Sequence, residues 1–289
     1  MSQYGLPLRI CCAAGFIAAG LFLPSISNAQ GTTPAGNPSD NPLARSDSIR
    51  ASEEIEESHL RQTLGDPKEE AAYQAFHKTK DQDAAKKIKL GNAFLIKYPS
   101  DRYSEAVYEE LAQAYYNSRD LPSFYTYSDK ALSLFPDDVH LLALSGWVIP
   151  RAFTPDEPDA DKKLDKAESQ EKHALDLVSK MQKPASITDE QFAQFKAGES
   201  AVAHSGLGVV YFRREEYDKS AKELEAALAS EANPDQTDLM VLGVDLENLS
   251  RFKEAADAFN RCAQIPGGVQ DRCNEYAAEA AKRLTEAKK

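Results

Sequence analysis

Apolar and polar positions from Asp66 onward follow the spacing of amphipathic helices. The stretch SGLGVVYFRREEYDKSAKELEAAL, residues 205–228, contains two apolar stripes, and the polar run RREE lies between them. Apolar residues three and four positions apart lie on one face of an α-helix. This spacing continues almost without interruption towards the end of the chain, which predicts an all-α fold.

The helical pattern also repeats along the chain. Leu242-Gly243 lies 35 positions after Leu207-Gly208, and at the same offset Phe259 corresponds to Leu224. Such self-similarity predicts stacked helical hairpins, because one hairpin alone cannot bury its apolar face. The predicted hairpins are 68–104, 105–138, 139–186, 187–235 and 236–269, and a capping helix is predicted over 270–289; together they form a helical domain over 67–289.

These repeats resemble those of the tetratricopeptide repeat (TPR) family over roughly 68–267. Hairpins of that family carry small residues at their eighth, twentieth and twenty-seventh positions and a proline near the end. The matching residues are Gly208, Ser220 and Ala227 in one copy, and Gly243, Ala255 and Cys262 in the next, which Pro266 closes. The tryptophan common at the fourth position is missing, and the hairpin 139–186 carries the polar insertion TPDEPDADK. The resemblance implies a right-handed α-solenoid with a C-terminal capping helix.

The TPR resemblance also implies a binding groove, because the first helix of each TPR hairpin lines a concave surface. Carried over by position, the groove residues are Tyr116, Asn117, His140, Trp147, Arg151, Phe212, Arg213, Met240 and Asn248. Aromatic, arginine and asparagine side chains suit a bound peptide or helix. For Trp147, a place in the core is an equal alternative. The residues with which some TPR domains clamp a C-terminal carboxylate are absent, since Glu109 and Gln113 occupy their positions in the second copy.

The N-terminus has the pattern of an export signal. Arg9 precedes the apolar run 10–23, and Ser27-Asn28-Ala29 offers small residues for cleavage. This predicts a signal peptide over 1–29 and an exported protein, periplasmic or secreted, with no integral membrane span in the mature chain. Residues 30–66 are rich in Gly, Pro, Ser, Thr and Asn, which predicts a flexible leader.

Charge and motif content argue against several functions. The chain has 289 residues, and 34 Lys and Arg against 46 Asp and Glu give a net charge of −12, which disfavours nucleic acid as a partner. The five histidines lie in separate segments, and no nucleophile elbow or phosphate-binding loop is present. We therefore expect no enzyme activity, no cofactor and no metal. The alternative is a metal-dependent activity in the acidic insertion, through Asp156, Asp159 and Asp161.

Two cysteines remain after the predicted signal peptide. In an oxidising compartment, Cys262 and Cys273 would form a disulfide that ties the capping helix to the last hairpin. The alternative is that Cys262 is a small buried residue and Cys273 a free thiol.

A further likeness concerns cellular context. The segment FLIKYPSDRYSEAVYEELAQAYYNSRD is similar to the pattern in bacterial envelope TPR proteins, which act as scaffolds in the periplasm. The resulting hypothesis is a non-catalytic scaffold of the cell envelope that binds a protein or peptide in its groove. The alternative is a structural assembly factor that acts through self-association or several surfaces.

Overall fold

The computed structural model describes residues 66–99, 102–185, 187–229 and 234–287. The predicted signal peptide and all but the last residue of the predicted leader lie outside these ranges. Within them the regular structure is helical, without a strand, so the predicted all-α class is confirmed. The eleven α-helices of the described ranges are α1 (Pro67–His77), α2 (Ala84–Lys97), α3 (Ser104–Asn117), α4 (Leu121–Leu134), α5 (Val139–Arg151), α6 (Ala160–Lys180), α7 (Asp189–Arg213), α8 (Tyr217–Ala229), α9 (Gln236–Asn248), α10 (Phe252–Gln264) and α11 (Gln270–Glu286).

Polar residues begin several of these helices. The Asp66 side chain accepts a hydrogen bond from the Lys68 amide, and Pro67 occupies the first helical position of α1. Thr188 and Gln191 form a reciprocal capping box at the start of α7. Because such caps satisfy amides that have no partner inside the helix, the helix starts are fixed by local sequence.

A single turn geometry recurs between paired helices. Three residues separate α3 from α4, α7 from α8 and α9 from α10. The middle residue of each turn is a non-glycine in the left-handed region, at φ values of 63°, 60° and 60° for Arg119, Glu215 and Ser250. Sequences that share no turn residue thus adopt the same turn, which makes the fold repeat-like. The link between α5 and α6, residues 152–159, is longer and contains most of the polar insertion.

Helices pack mainly against their neighbours in sequence. Every α-helix contacts the next one, and α7 also packs against α5 and α9, the first helices of the flanking pairs. The buried apolar residues accordingly form clusters that follow one another along the chain, from Tyr73 and Phe76 near the start to Phe259 and Ala280 near the end. None of the described helices combines the length and hydropathy needed to cross a membrane.

Gly243 lies where the side chain of Phe259 on α10 packs against α9. A Cβ atom placed on this residue would lie 2.4 Å from a ring carbon of Phe259, which is fully buried. Gly208 has the same relation to Leu224 between α7 and α8, where the distance would be 2.5 Å. The repeated glycine is therefore required by helix packing.

We expect opposite effects from the same substitution at two glycines. Gly243→Ala should destabilise the fold by about 1–3 kcal/mol, because the buried Phe259 ring has no room to move. Gly198→Ala, on an open face of α7 with nothing within 4 Å, should stabilise it by about 0.5–1 kcal/mol through helix propensity. Denaturant unfolding of both variants measures the difference. Equal stability of the two variants would contradict the packing argument.

The last helix is joined covalently to the preceding pair. Cys262 of α10 and Cys273 of α11 form a disulfide whose Cα atoms are 5.8 Å apart. Both cysteines are fully buried. Gln236, at the start of α9, donates hydrogen bonds to the carbonyl oxygens of Cys262 (3.2 Å) and Ile265 (2.7 Å). The start of α9 and the end of α10 are therefore held together beside the disulfide.

Candidate binding site

Four half-buried side chains from three helices form what we call the aromatic–arginine cluster: Tyr116 of α3, Trp147 and Arg151 of α5, and Arg213 of α7. The rings of Tyr116 and Trp147 meet edge to face, with their centroids 6.3 Å apart. The Arg151 guanidinium stacks on Trp147, with Cζ 3.9 Å from the ring centroid. Arg213 reaches back to α5, where its Nε donates to the Pro150 carbonyl at 3.0 Å. The cluster thus connects the first helices of three successive pairs.

A buried network of polar groups holds the Arg151 side chain. Its Nη2 donates to Ser205 Oγ at 2.7 Å and to Asp238 Oδ1 at 2.5 Å. Ser205 also accepts from Trp147 Nε1 at 3.1 Å and donates its own proton to Asp238. Every group in this network therefore has a consistent donor or acceptor role. The result is a buried ion pair between α5 and α9, bridged by a hydroxyl of α7.

Within this network, the pKa of Asp238 is shifted from its ordinary value. Burial raises the pKa of Asp238 to about 6, although Arg151 and Ser205 both favour its charged form. The nearby Asp235 carboxylate acts in the same direction as burial. Asp238 therefore needs Arg151 to remain ionised near neutral pH.

Glu171 of α6 is a second buried acid close to Arg151. Its carboxyl lies between α5 and α7, where a Cβ atom on Gly206 or Gly146 would overlap it. Neither of its oxygens has a hydrogen-bond partner among the described residues. Burial raises the pKa of Glu171 well above its ordinary value, and the Glu199 carboxylate adds to this while Arg151 opposes it. The glycines of α5 and α7 thus make room for a buried carboxyl whose pKa is raised by its surroundings.

Asp245 of α9 is a third buried acid, and its geometry indicates that it is protonated. The Ser220 hydroxyl lies 2.8 Å from the Gly208 carbonyl and 2.5 Å from Asp245 Oδ2. One hydroxyl has one proton to donate, so both contacts are satisfied when Asp245 is protonated and donates to Ser220. Burial raises the pKa of Asp245 well above its ordinary value, in agreement with this assignment.

Arg213 differs from Arg151 because no carboxylate lies within ion-pair distance of it in the described part of the chain. Its guanidinium lies beside the Phe153 ring, with Cζ 5.7 Å from the centroid. Burial lowers the pKa of Arg213 to about 10, and the positive charge of Arg151 adds to the effect. Among the described residues its charge therefore has no ion-pair partner.

The other predicted groove residues lie apart from this cluster. Phe212 and Met240 pack in the core between α7, α8 and α9, and Met240 is 0% exposed. A partner cannot reach Met240 in this structure, because its side chain points between helices. His140 is also buried, with Nδ1 3.1 Å from Glu199 Oε1. Asn117 and Asn248 are exposed near the ends of α3 and α9. Trp147 fits both alternatives, a place in the core and a place in the groove. Its ring packs against core residues and yet remains half-buried.

Sequence reasoning missed Ser205, Asp238, Glu171 and Phe153. A signal existed for α9, where Asp238 and Asp245 lie seven positions apart in an otherwise apolar stretch, DLMVLGVD. Two acids on the same face of an apolar helix indicate buried carboxyls with specific partners. No such pattern marks Ser205 or Phe153.

The acidic insertion shows no cluster of ligands. Among the described residues, no group of three or more His, Cys, Asp or Glu side chains could hold a metal ion. Asp159 instead forms an exposed ion pair with Lys162, with the nitrogen 3.0 Å from the oxygen.

No known protein-family model matches this chain, and no curated protein matches it either.

Proposed function

We propose that this chain is a non-catalytic scaffold that binds a peptide or protein segment on the aromatic–arginine cluster. One observation carries the proposal: the half-buried side chains of Tyr116, Trp147, Arg151 and Arg213 come from three successive pairs, and each of them contacts α5 or another member of the cluster. Tyrosine, tryptophan and arginine are the residues that contribute most to binding energy at protein interfaces. A segment that crosses the first helices would contact all of them at once.

We also propose that the helix pairs form a right-handed solenoid of the TPR type. The small residues at Gly208 and Gly243, and the turn shared by α3–α4, α7–α8 and α9–α10, support this proposal. In such an array the first helices lie side by side on the concave face. The packing of α7 against α5 and α9 agrees with that arrangement.

For the location, we propose export to the bacterial cell envelope. The predicted signal peptide and the likeness of residues 94–120 to envelope TPR proteins support it. The Cys262–Cys273 disulfide is also in keeping with an oxidising compartment.

Photo-cross-linking in cells tests the binding surface. A photoreactive phenylalanine analogue replaces Tyr116 in one variant and Ile96 in the control, since Ile96 is 84% exposed on α2. We expect adducts with another protein from position 116 and none of the same mass from position 96. Adducts with a second copy of the chain would favour the self-association alternative. Identical adducts from both positions would overturn the proposed surface.

A further inference from the structure

The Arg213 guanidinium is fixed at Nε, whereas its two Nη nitrogens remain open. Its Nε donates to the Pro150 carbonyl, which holds the side chain against α5. Within the described ranges, its two Nη nitrogens have no hydrogen-bond partner, and neither is sealed from solvent. A guanidinium that is already oriented loses less conformational entropy on binding than a free one.

The surroundings of Arg213 combine positive charge with apolar surface. Arg151 lies close enough to lower the pKa of Arg213, and Asp238 already compensates the charge of Arg151. An anion placed at the Nη nitrogens would therefore interact with the uncompensated charge. The Phe153 ring lies beside the Arg213 guanidinium, while Arg151 stacks on Trp147, whose ring meets that of Tyr116.

We propose that Arg213 binds a side-chain carboxylate of an acidic peptide segment whose neighbouring apolar residue packs on Trp147 or Phe153. This inference rests on the proposed function and adds the chemistry of the partner. The two Nη nitrogens present parallel donors, the geometry with which arginine binds a carboxylate in bidentate fashion. The recognised group is an Asp or Glu within a segment, so the free C-terminus of the partner is not required.

Selection from a displayed library of random heptapeptides tests the inference. The immobilised targets are the full chain and two variants, Arg213→Gln and Arg214→Gln. Arg214 is the matched control, because it has the same charge at the next position but is paired with Asp165 and Glu168. We expect the wild type and Arg214→Gln to enrich peptides with an Asp or Glu beside an aliphatic or aromatic residue. Arg213→Gln should lose the preference for the acid.

A synthetic, C-terminally amidated peptide from the selection then measures the contact. Replacing its acid by the matching amide should weaken binding to the wild type by about 10- to 150-fold, the range for a hydrogen-bonded charge. The same replacement should have little effect on binding to Arg213→Gln. Because the change in the peptide needs no protein variant, this arm holds even if Arg213→Gln folds poorly. Arg213→Lys, which keeps the charge without the fork, should bind the acidic peptide with intermediate affinity.

Each other outcome overturns a defined part of the proposal. Enriched peptides without an acid would overturn the role of Arg213, and the proposed function would stand if their binding were lost in Tyr116→Ala. Equal losses in Arg213→Gln and Arg214→Gln would show a general charge effect and overturn the site. Binding lost on amidation would assign recognition to a free terminus. If the wild type enriches no peptide, both this inference and the peptide-binding function are wrong.

Discussion

Replacing Arg151 by methionine is expected to lower the free energy of unfolding by about 3–5 kcal/mol at about pH 8. The variant removes the partner of Asp238, whose side chain is 1% exposed. An unpaired carboxylate in that position has no solvent and keeps only the Ser205 hydroxyl as a donor. The substitution also removes the stacking of Arg151 on Trp147.

The loss should depend on pH in a defined direction. The pKa of Asp238 is already raised to about 6 by burial, and Arg151 opposes that rise. Without Arg151 the pKa of Asp238 rises further, so the folded variant loses stability as pH increases above about 6, where the wild type keeps the ionised pair. Near about pH 5 Asp238 is protonated in both proteins, and the difference between them should be smaller. Removing Arg151 should raise the pKa of Glu171 as well, because Arg151 favours its charged form.

Urea unfolding of the wild type and Arg151→Met from about pH 5 to pH 8 gives the test. Arg261→Met on the exposed face of α10 is the matched control and should stay within about 0.5 kcal/mol of the wild type. Adding Asp238→Asn to Arg151→Met should restore part of the stability at high pH. A loss independent of pH would contradict the role assigned to Asp238.

Removing the disulfide should cause the second largest loss in the free energy of unfolding. Cys262→Ser with Cys273→Ser is expected to cost about 2–3 kcal/mol, the chain-entropy value for a loop of this length; the two cysteines are 11 positions apart. Because α11 packs chiefly on α10, the loss should be concentrated there. Amide hydrogen exchange should therefore accelerate in α11 more than in α5.

Reduction of the wild type provides a second measurement. A thiol reductant under native conditions should lower the protection of α11 in the wild type and leave the double serine variant unchanged. If the reductant does not alter exchange in the wild type, the disulfide does not stabilise the last helix. Mass measurement after thiol labelling establishes the oxidation state in the same sample.

The sequence predicted the helices well because their signals are local. Apolar spacing and the recurring Leu-Gly pair are both visible within a window of about one repeat. Together they predict where the helices lie and which helices pack together. The turns at Arg119, Glu215 and Ser250 were not predicted in detail, because nothing in those residue types favours the left-handed region. Their geometry follows from the packing of the helices on either side.

The binding site was predicted less completely because its chemistry depends on long-range contacts. Position in the repeat selected Arg151 and Arg213 equally, yet the structure pairs one with Asp238 and leaves the other without a carboxylate. Met240 shows a different limit: the TPR resemblance predicted it in the groove, but its side chain is fully buried. Because the two arginines differ in this way, a variant of Arg151 tests stability, whereas a variant of Arg213 tests binding.

The contact between Arg151 and Asp238 also has a consequence for biosynthesis. The two residues are 87 positions apart. Because translation adds about 5–20 residues per second, Asp238 is synthesised about 4–17 s after Arg151. During that time α5 can already pack against α6, which follows it directly, while Asp238 is not yet available to pair with Arg151. A chain that ends before Asp238 would leave Arg151 without this ion pair. In the finished protein this cation is half-buried and paired with Asp238.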